Sequence, residues 1–289
     1  MSLSTLLGIA RPHILGIAGM AALTFGWIFS GRHSFVVPIF IMLDWFVVNL
    51  ANRAVDIDED LKNGVPGTEA VARRKRLVEA ACFGVMAFSL GVGHLLAPET
   101  TAVRAVFHVI GLAYNYRLLP GGRRFKNLYF FKNSMSATLF VLSVIVAPAL
   151  HLGFAPGASW QTAVWLAAFF FPLELTYEIL YDLRDVDGDR QERVFTYPVV
   201  HGDDGARRII WGLLATSALV LVAGGLFGDL RLRELSLLGG VVLQAFVFSA
   251  WVKAGQQPTV RDCVLATWVG AALLGAYNLW IQAGLPLGA

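Results

Sequence analysis

The sequence predicts an all-α protein, a polytopic membrane bundle of about nine transmembrane helices with a cytoplasmic N-terminus. Three observations carry this reading. Of 289 residues, 56% are hydrophobic and only 15% charged, against roughly 25% charged in a soluble domain. Apolar runs approaching the ~20 residues that cross a bilayer recur along the whole chain. Basic residues gather in alternate loops, as the positive-inside rule requires.

The runs fall near 12–30, 35–54, 77–97, 102–118, 127–150, 159–181, 208–228, 234–253 and 262–283. Arg11-Pro12-His13 precedes the first run, and no small-residue cleavage site follows closely, so this run is expected to be retained. The second and sixth runs end in acidic segments. The fourth carries Arg104 and His108 and is the least apolar. Trp27, Trp160, Trp211, Trp251, Tyr277 and Trp280 sit near run ends, where an aromatic belt places them. Loops after even-numbered runs hold Arg53, Lys62, Arg73–Arg76, Arg117, Arg123, Arg124, Lys126, Lys132, Arg184, Arg190, Arg193, Arg207, Arg208, Lys253 and Arg261. Loops after odd-numbered runs hold only Arg32, Arg104, Arg231 and Arg233. The even loops are therefore expected in the cytoplasm. No interdomain linker appears, so residues 1–289 read as one domain. Cys82 and Cys263 lie inside apolar runs and form neither a disulfide framework nor a metal cluster. A net charge of +3 gives no basis for a nucleic-acid partner.

Two acidic segments carry the chemistry. In the first, Asn52, Asp56 and Asp60 are spaced i, i+4, i+8, which places three oxygen ligands on one face of a continuing helix. In the second, Glu178, Asp182, Asp185 and Asp189 form another single stripe, extended inward by Glu174. Such a stripe repels itself unless cations neutralise it. Mg²⁺ suits it, because that ion takes hard oxygen ligands, uses one or two carboxylates, and completes its shell with water and phosphate. A solvated helix end explains either segment alone. Two with matched spacing on one membrane face point instead to ions bridging a diphosphate. Asp44, Glu174 and Glu178 lie within spans, where a carboxylate faces a cavity or a partner, and they are candidates for a pocket lining. Asn115, Asn133 and Asn278 suggest the same less strongly, since interhelical hydrogen bonding is their ordinary use.

At these residues the chain resembles the UbiA superfamily of intramembrane prenyltransferases. Asn52, Asp56 and Asp60 match that family's Asn-x-x-x-Asp-x-x-x-Asp after the second helix. Tyr177, Asp182, Asp185, Gly188 and Asp189 match the Tyr-x-x-x-Lys-Asp-x-x-Asp-x-x-Gly-Asp found after the sixth helix in its homogentisate and chlorophyll-type branches. Arg11-Pro12-His13 and the basic stretch Tyr114-x-x-Arg117 with Arg123-Arg124-x-Lys126 are similar to further family features. There are departures. Arg53 stands where Asp often follows the Asn, and Tyr181 where Lys is expected. Asn63-Gly-Val-Pro66 replaces Asn-Lys-Pro-x-Arg-Pro, and the Pro-Pro before the basic stretch is missing.

The resemblance implies Mg²⁺ held by Asn52, Asp56, Asp60, Asp185 and Asp189. It implies diphosphate gripped among Arg117, Arg123, Arg124, Lys126 and Arg184, with Asp182, Tyr177 and Tyr181 near the reacting atoms. An isoprenyl diphosphate would ionise to an allylic cation, which a lipophilic acceptor captures in a dry cavity open to lipid. The site would lie on the cytoplasmic side of an integral membrane protein. Two other readings stay open: a UbiA-type terpene cyclase, whose cation is attacked by the substrate's own double bonds, and an ion or solute transporter. Acids clustered at helix ends beside basic loops argue against the transporter.

Overall fold

The protein is described here from a computed structural model, covering residues 3–62, 64–65, 67–191, 193–253 and 257–284. Asn63 and Pro66 lie outside the described residues. Nine helices follow the nine predicted runs among the described residues. They are α1 Pro12–Ser30, α2 Val36–Val55, α3 Lys75–Leu96, α4 Thr101–Asn115, α5 Phe131–Leu152, α6 Trp160–Gln191, α7 Tyr197–Leu226, α8 Leu238–Lys253 and α9 Val260–Gln282. Shorter helices, Leu3–Ala10, Ile57–Lys62 and Thr68–Arg73, flank the first acidic segment and its loop. No strand occurs among the described residues; one isolated bridge joins Leu119 to Arg123.

Local chemistry sets several boundaries. α1 begins with Pro12, whose missing N–H costs nothing in a first turn, and ends at Gly31, where φ is +67°. Inside α5, Pro148 cannot donate to the carbonyl four residues back, and the turn directly before it widens into π geometry at Leu142–Val146. The second helix does not continue through the first acidic segment, as the spacing predicts. It breaks at Asp56, with φ −93° and ψ 24°, before the short helix Ile57–Lys62. Helix-like bonds on both sides (Asp56 N–H to Asn52 O, 2.9 Å; Asp60 N–H to Asp56 O, 2.8 Å) still keep the three residues roughly aligned. α6 is longer than its apolar run, because polar residues 182–191 extend it, and α7 carries an extra N-terminal turn that is broken from the rest at Gly202, where φ is +69°. At 32 residues α6 is about 48 Å long, well beyond a ~30 Å hydrocarbon core.

Among the described residues, eight segments are long and apolar enough to cross a bilayer, counting the turn Leu232–Leu235 ahead of α8. The exception is α4, whose 15 residues reach only about 22 Å. α1, α2 and α6 are largely buried, with Phe25, Phe29, Trp45, Phe140 and Leu166 in the core between them. α3, α7, α8 and α9 turn large apolar side chains outward, among them Phe83, Phe88, Leu219, Phe246, Leu265 and Leu279. A soluble surface rarely carries so much apolar area. With the eight spans, it makes this an integral membrane protein.

Asp44 is not a pocket residue. It is fully buried on α2, with 0% exposure, and does not line the cavity described below. Arg104 of α4 donates to its carboxylate from Nε at 2.7 Å and Nη2 at 2.9 Å. His108 Nε2 lies 3.0 Å from it, and Ser89 Oγ of α3 donates at 2.8 Å. The acid thus fastens α3 and α4 to α2, so its partner is a neighbouring helix and not a ligand. Gly93 makes the clamp possible, since a Cβ there would stand 1.8 Å from Arg104 Nη1. Replacing Arg104 by Met strands a buried carboxylate and is expected to destabilise the bundle by about 3–5 kcal/mol. The double variant Asp44→Leu/Arg104→Met should recover most of that loss. Thermal unfolding in detergent measures both, and an Arg104→Met melt matching wild type would disprove the clamp.

Candidate active site

Both acidic segments open onto one cavity of about 540 Å³, walled by α1, α2, α5, α6 and α9 with the end of α4. Its polar mouth holds Asp56, Glu59 and Asp60 from the first segment and Asp182 and Asp185 from the second. Ile14, Ile17, Trp45, Val48, Leu139, Phe140, Val264 and Trp268 make the rest of the wall largely apolar. A charged mouth on a greasy, aromatic pocket suits an amphiphile with an anionic head and a hydrocarbon tail.

The first segment is gripped by the loop between α4 and α5. Arg124 pairs with Asp56, and Lys126 Nζ, itself 3% exposed, reaches Asp56 at 2.6 Å and Glu59 at 2.8 Å. Asn52 donates to Asp56 at 2.6 Å and to Asn115 at 3.1 Å, which fixes the carboxylate against α4. Arg53 donates to Asp60 at 2.8 Å and to the carbonyl of Gly8 in the N-terminal helix. The residue that departs from the family pattern therefore neutralises a carboxylate within the same motif.

The second segment lies along α6. Lys132, at the start of α5, bridges Asp182 at 2.7 Å and Asp189 at 3.1 Å, and Asn133 donates to Asp182 at 2.7 Å. Arg184 pairs with Asp185 through Nε at 2.7 Å and lies 4.9 Å from the centre of the Tyr181 ring. Tyr181 also shares a hydrogen bond with Thr267 of α9, 3.1 Å away. The Tyr177 hydroxyl lies close to Gly270, where a Cβ would come within 3.2 Å. Glu178 accepts from Ser136 Oγ at 2.7 Å, and Glu174 lines the cavity one turn further in.

Of the sequence candidates, Asn52, Asp56, Asp60, Lys126, Glu174, Tyr177, Glu178, Tyr181, Asp182, Arg184 and Asp185 line this cavity. Arg124 and Asp189 reach it through ion pairs with residues that do. Arg117 and Arg123 are exposed on the loop and do not line it, so the structure does not bring them to the acids. Sequence reading counted Lys132 only as a marker of orientation, although it is the main counter-charge of the second segment. Its place inside the fifth apolar run, beside Asn133, was the available signal. Glu59 also lines the cavity, as do Arg11 and His13, whose resemblance to a family feature carried no site role.

Among the described residues, no three acidic, His or Cys side chains converge into a ready-made metal cage. The donor chemistry nonetheless fits Mg²⁺. Asp56, Asp60 and Asp185 present hard oxygens to one cavity from two sides, and Mg²⁺ commonly takes only one or two carboxylates, with water and phosphate completing the shell.

The UbiA prenyltransferase family matches residues 12–269. A digeranylgeranylglyceryl phosphate synthase of Methanopyrus kandleri is 27% identical over 165 residues, 56% of this chain and 55% of the relative. A polyprenyl transferase of Aspergillus calidoustus is 26% identical over 236 residues, 76% of this chain and 59% of the relative. The matches thus span little more than half the length of these curated relatives. A UbiA homologue from Archaeoglobus fulgidus, solved bound to DMAPP and Mg²⁺, superposes with a TM-score of 0.75 at 16% identity, covering 98% of this chain and 100% of that one. An apo UbiA homologue from Aeropyrum pernix K1 gives a TM-score of 0.62 at 16% identity, covering 94% and 98%. At such identities the likeness is one of fold.

Lys132→Met, which leaves Asp182 and Asp189 without their shared cation, is expected to cost on the order of 3–5 kcal/mol. Arg117→Ala and Arg123→Ala, on the exposed loop, are expected to stay within about 0.5 kcal/mol of wild type. Unfolding the three purified variants side by side, without divalent ions, tests the difference in placement. Equal stability of all three would refute it.

Proposed function

The chain belongs to the UbiA prenyltransferase family, and from that premise we propose that it is a Mg²⁺-dependent intramembrane prenyltransferase, moving an isoprenyl group from an isoprenyl diphosphate to a lipophilic acceptor. The supporting observation is that two acidic segments, separate in sequence, share one cavity with a charged mouth and an apolar depth. The ligands bound to the Archaeoglobus homologue, DMAPP and Mg²⁺, are of the kind this cavity suits.

In this reading Asp56, Asp60, Asp185 and Asp189 would hold the ions, with Asn52 orienting Asp56. Mg²⁺, when bound, would neutralise the diphosphate and make it a better leaving group. Lys126, Arg124, Arg53 and Arg184, which pair with the carboxylates, are the groups that would meet the phosphate oxygens. Lys132 keeps Asp182 and Asp189 in position. The allylic C–O bond breaks with its electron pair going to the diphosphate. Tyr177, Tyr181 and Trp268 line the cavity, and their electron-rich rings would stabilise the cation. The apolar wall keeps water from capturing it before the acceptor does. The concentration of basic residues in the even loops supports a mouth on the cytoplasmic side.

Asp56→Asn and Asp185→Asn are each expected to lower diphosphate release from geranyl diphosphate by about 10²–10³-fold, and excess EDTA should stop it. Mass spectrometry of products made with and without a membrane lipid extract measures transfer against cyclisation. Full activity in both variants, or in EDTA, would remove the ion-binding role; no diphosphate release from the wild-type chain would remove the enzyme reading.

A further inference from the structure

Resting on the prenyl-transfer reading, we propose that Glu174 and Glu178 form the acceptor subsite, and that it takes a lipophile with a hydroxyl or N–H donor and no negative charge. The acidic stripe of α6 does not stop at the ion-binding end. At 1.5 Å per residue, Glu178 stands about 6 Å and Glu174 about 12 Å from Asp182 along the helix, toward the apolar part of the cavity. That is the depth beside the allylic end of a donor whose diphosphate lies at the mouth.

Glu174 is 95% buried, given an exposure of 5%, and it lines the cavity. Among the described residues it has neither a hydrogen-bond donor nor an ion-pair partner. Glu178 has only Ser136. Four basic side chains of the cavity are engaged at the mouth: Arg53 with Asp60, Lys126 with Asp56, Lys132 with Asp182 and Arg184 with Asp185. Arg11 and His13 also line the cavity, and among the described residues none of the six forms an ion pair with Glu174 or Glu178. A buried carboxylate without a donor is costly, and a ligand that donates to it removes the cost. A hydroxyl or N–H at this depth would find acceptor oxygens, whereas a carboxylated or phosphorylated group would face two acidic side chains. Trp45, Leu139 and Phe140 leave an apolar wall for the body of such a ligand.

The test is equilibrium binding of radiolabelled para-octylphenol and para-octylbenzoate to the purified full chain in detergent, with Mg²⁺ and inorganic diphosphate filling the mouth. Wild type should bind the phenol at least about tenfold more tightly. Glu174→Gln/Glu178→Gln should bring the two probes within about threefold, and Glu178→Asp should keep the preference. The proposal is overturned if wild type favours the benzoate, binds neither probe, or if the double variant discriminates as before. The wild-type comparison stands even where the double variant fails to fold. Failure of the prenyl-transfer reading would show separately, as absence of diphosphate release from geranyl diphosphate, which these binding measurements do not read.

Discussion

A carboxylate removed from water must be met by a positive charge or by hydrogen-bond donors, and in this bundle that requirement governs where helices can go. Desolvating an ion costs several kcal/mol even after the surroundings relax, so a misplaced acid would outweigh much of the packing around it. Asp44 is answered by Arg104, His108 and Ser89, and in being answered it ties three helices together. Asp56 is answered by Arg124 and Lys126, which draws the loop after α4 over the end of α2. Asp182 and Asp189 are answered by Lys132, which sets the start of α5 against the far end of α6. The apolar packing between helices has no comparable directionality, because lipid tails satisfy an apolar side chain almost as well as another helix does.

The same pairs explain how a site rich in acids exists before any ligand arrives. Each carboxylate of the mouth is held by a basic side chain that is itself able to bind phosphate. On the proposed function, an incoming diphosphate with its ions would let these guanidinium and ammonium groups meet phosphate oxygens while the carboxylates meet the ions. Arg53 extends the scheme, since it occupies a motif position usually held by an acid and yet stays within reach of Asp60.

Much of this was legible in the residue order. Nine apolar runs became nine helices, because length and hydropathy are read directly by the bilayer. The two acidic segments announced themselves by spacing and do share a cavity. What escaped reading is what depends on partners far apart in sequence. Asp44 looked like a pocket residue because an intramembrane acid and its buried arginine, 60 positions away, cannot be paired by eye. Lys132 looked like one more cytoplasmic cation, since nothing local shows that it bridges two turns of α6. Arg117 and Arg123 shared the basic stretch with Arg124 and Lys126, yet only the latter two lie on the side that folds back. The helix break at Asp56 was invisible because the residues around it have ordinary helical spacing.

Gly93 and Arg104 fit each other as an empty seat fits its occupant. The guanidinium fills the volume that any side chain at position 93 would need. Neither position can drift alone. A lineage that acquires bulk at 93 must first lose the arginine, and losing it leaves Asp44 to be replaced as well. Across descendants of this chain, positions 44, 93 and 104 should therefore change in concert or hardly at all, a signature of ancestry written at the end of the bundle away from the chemistry.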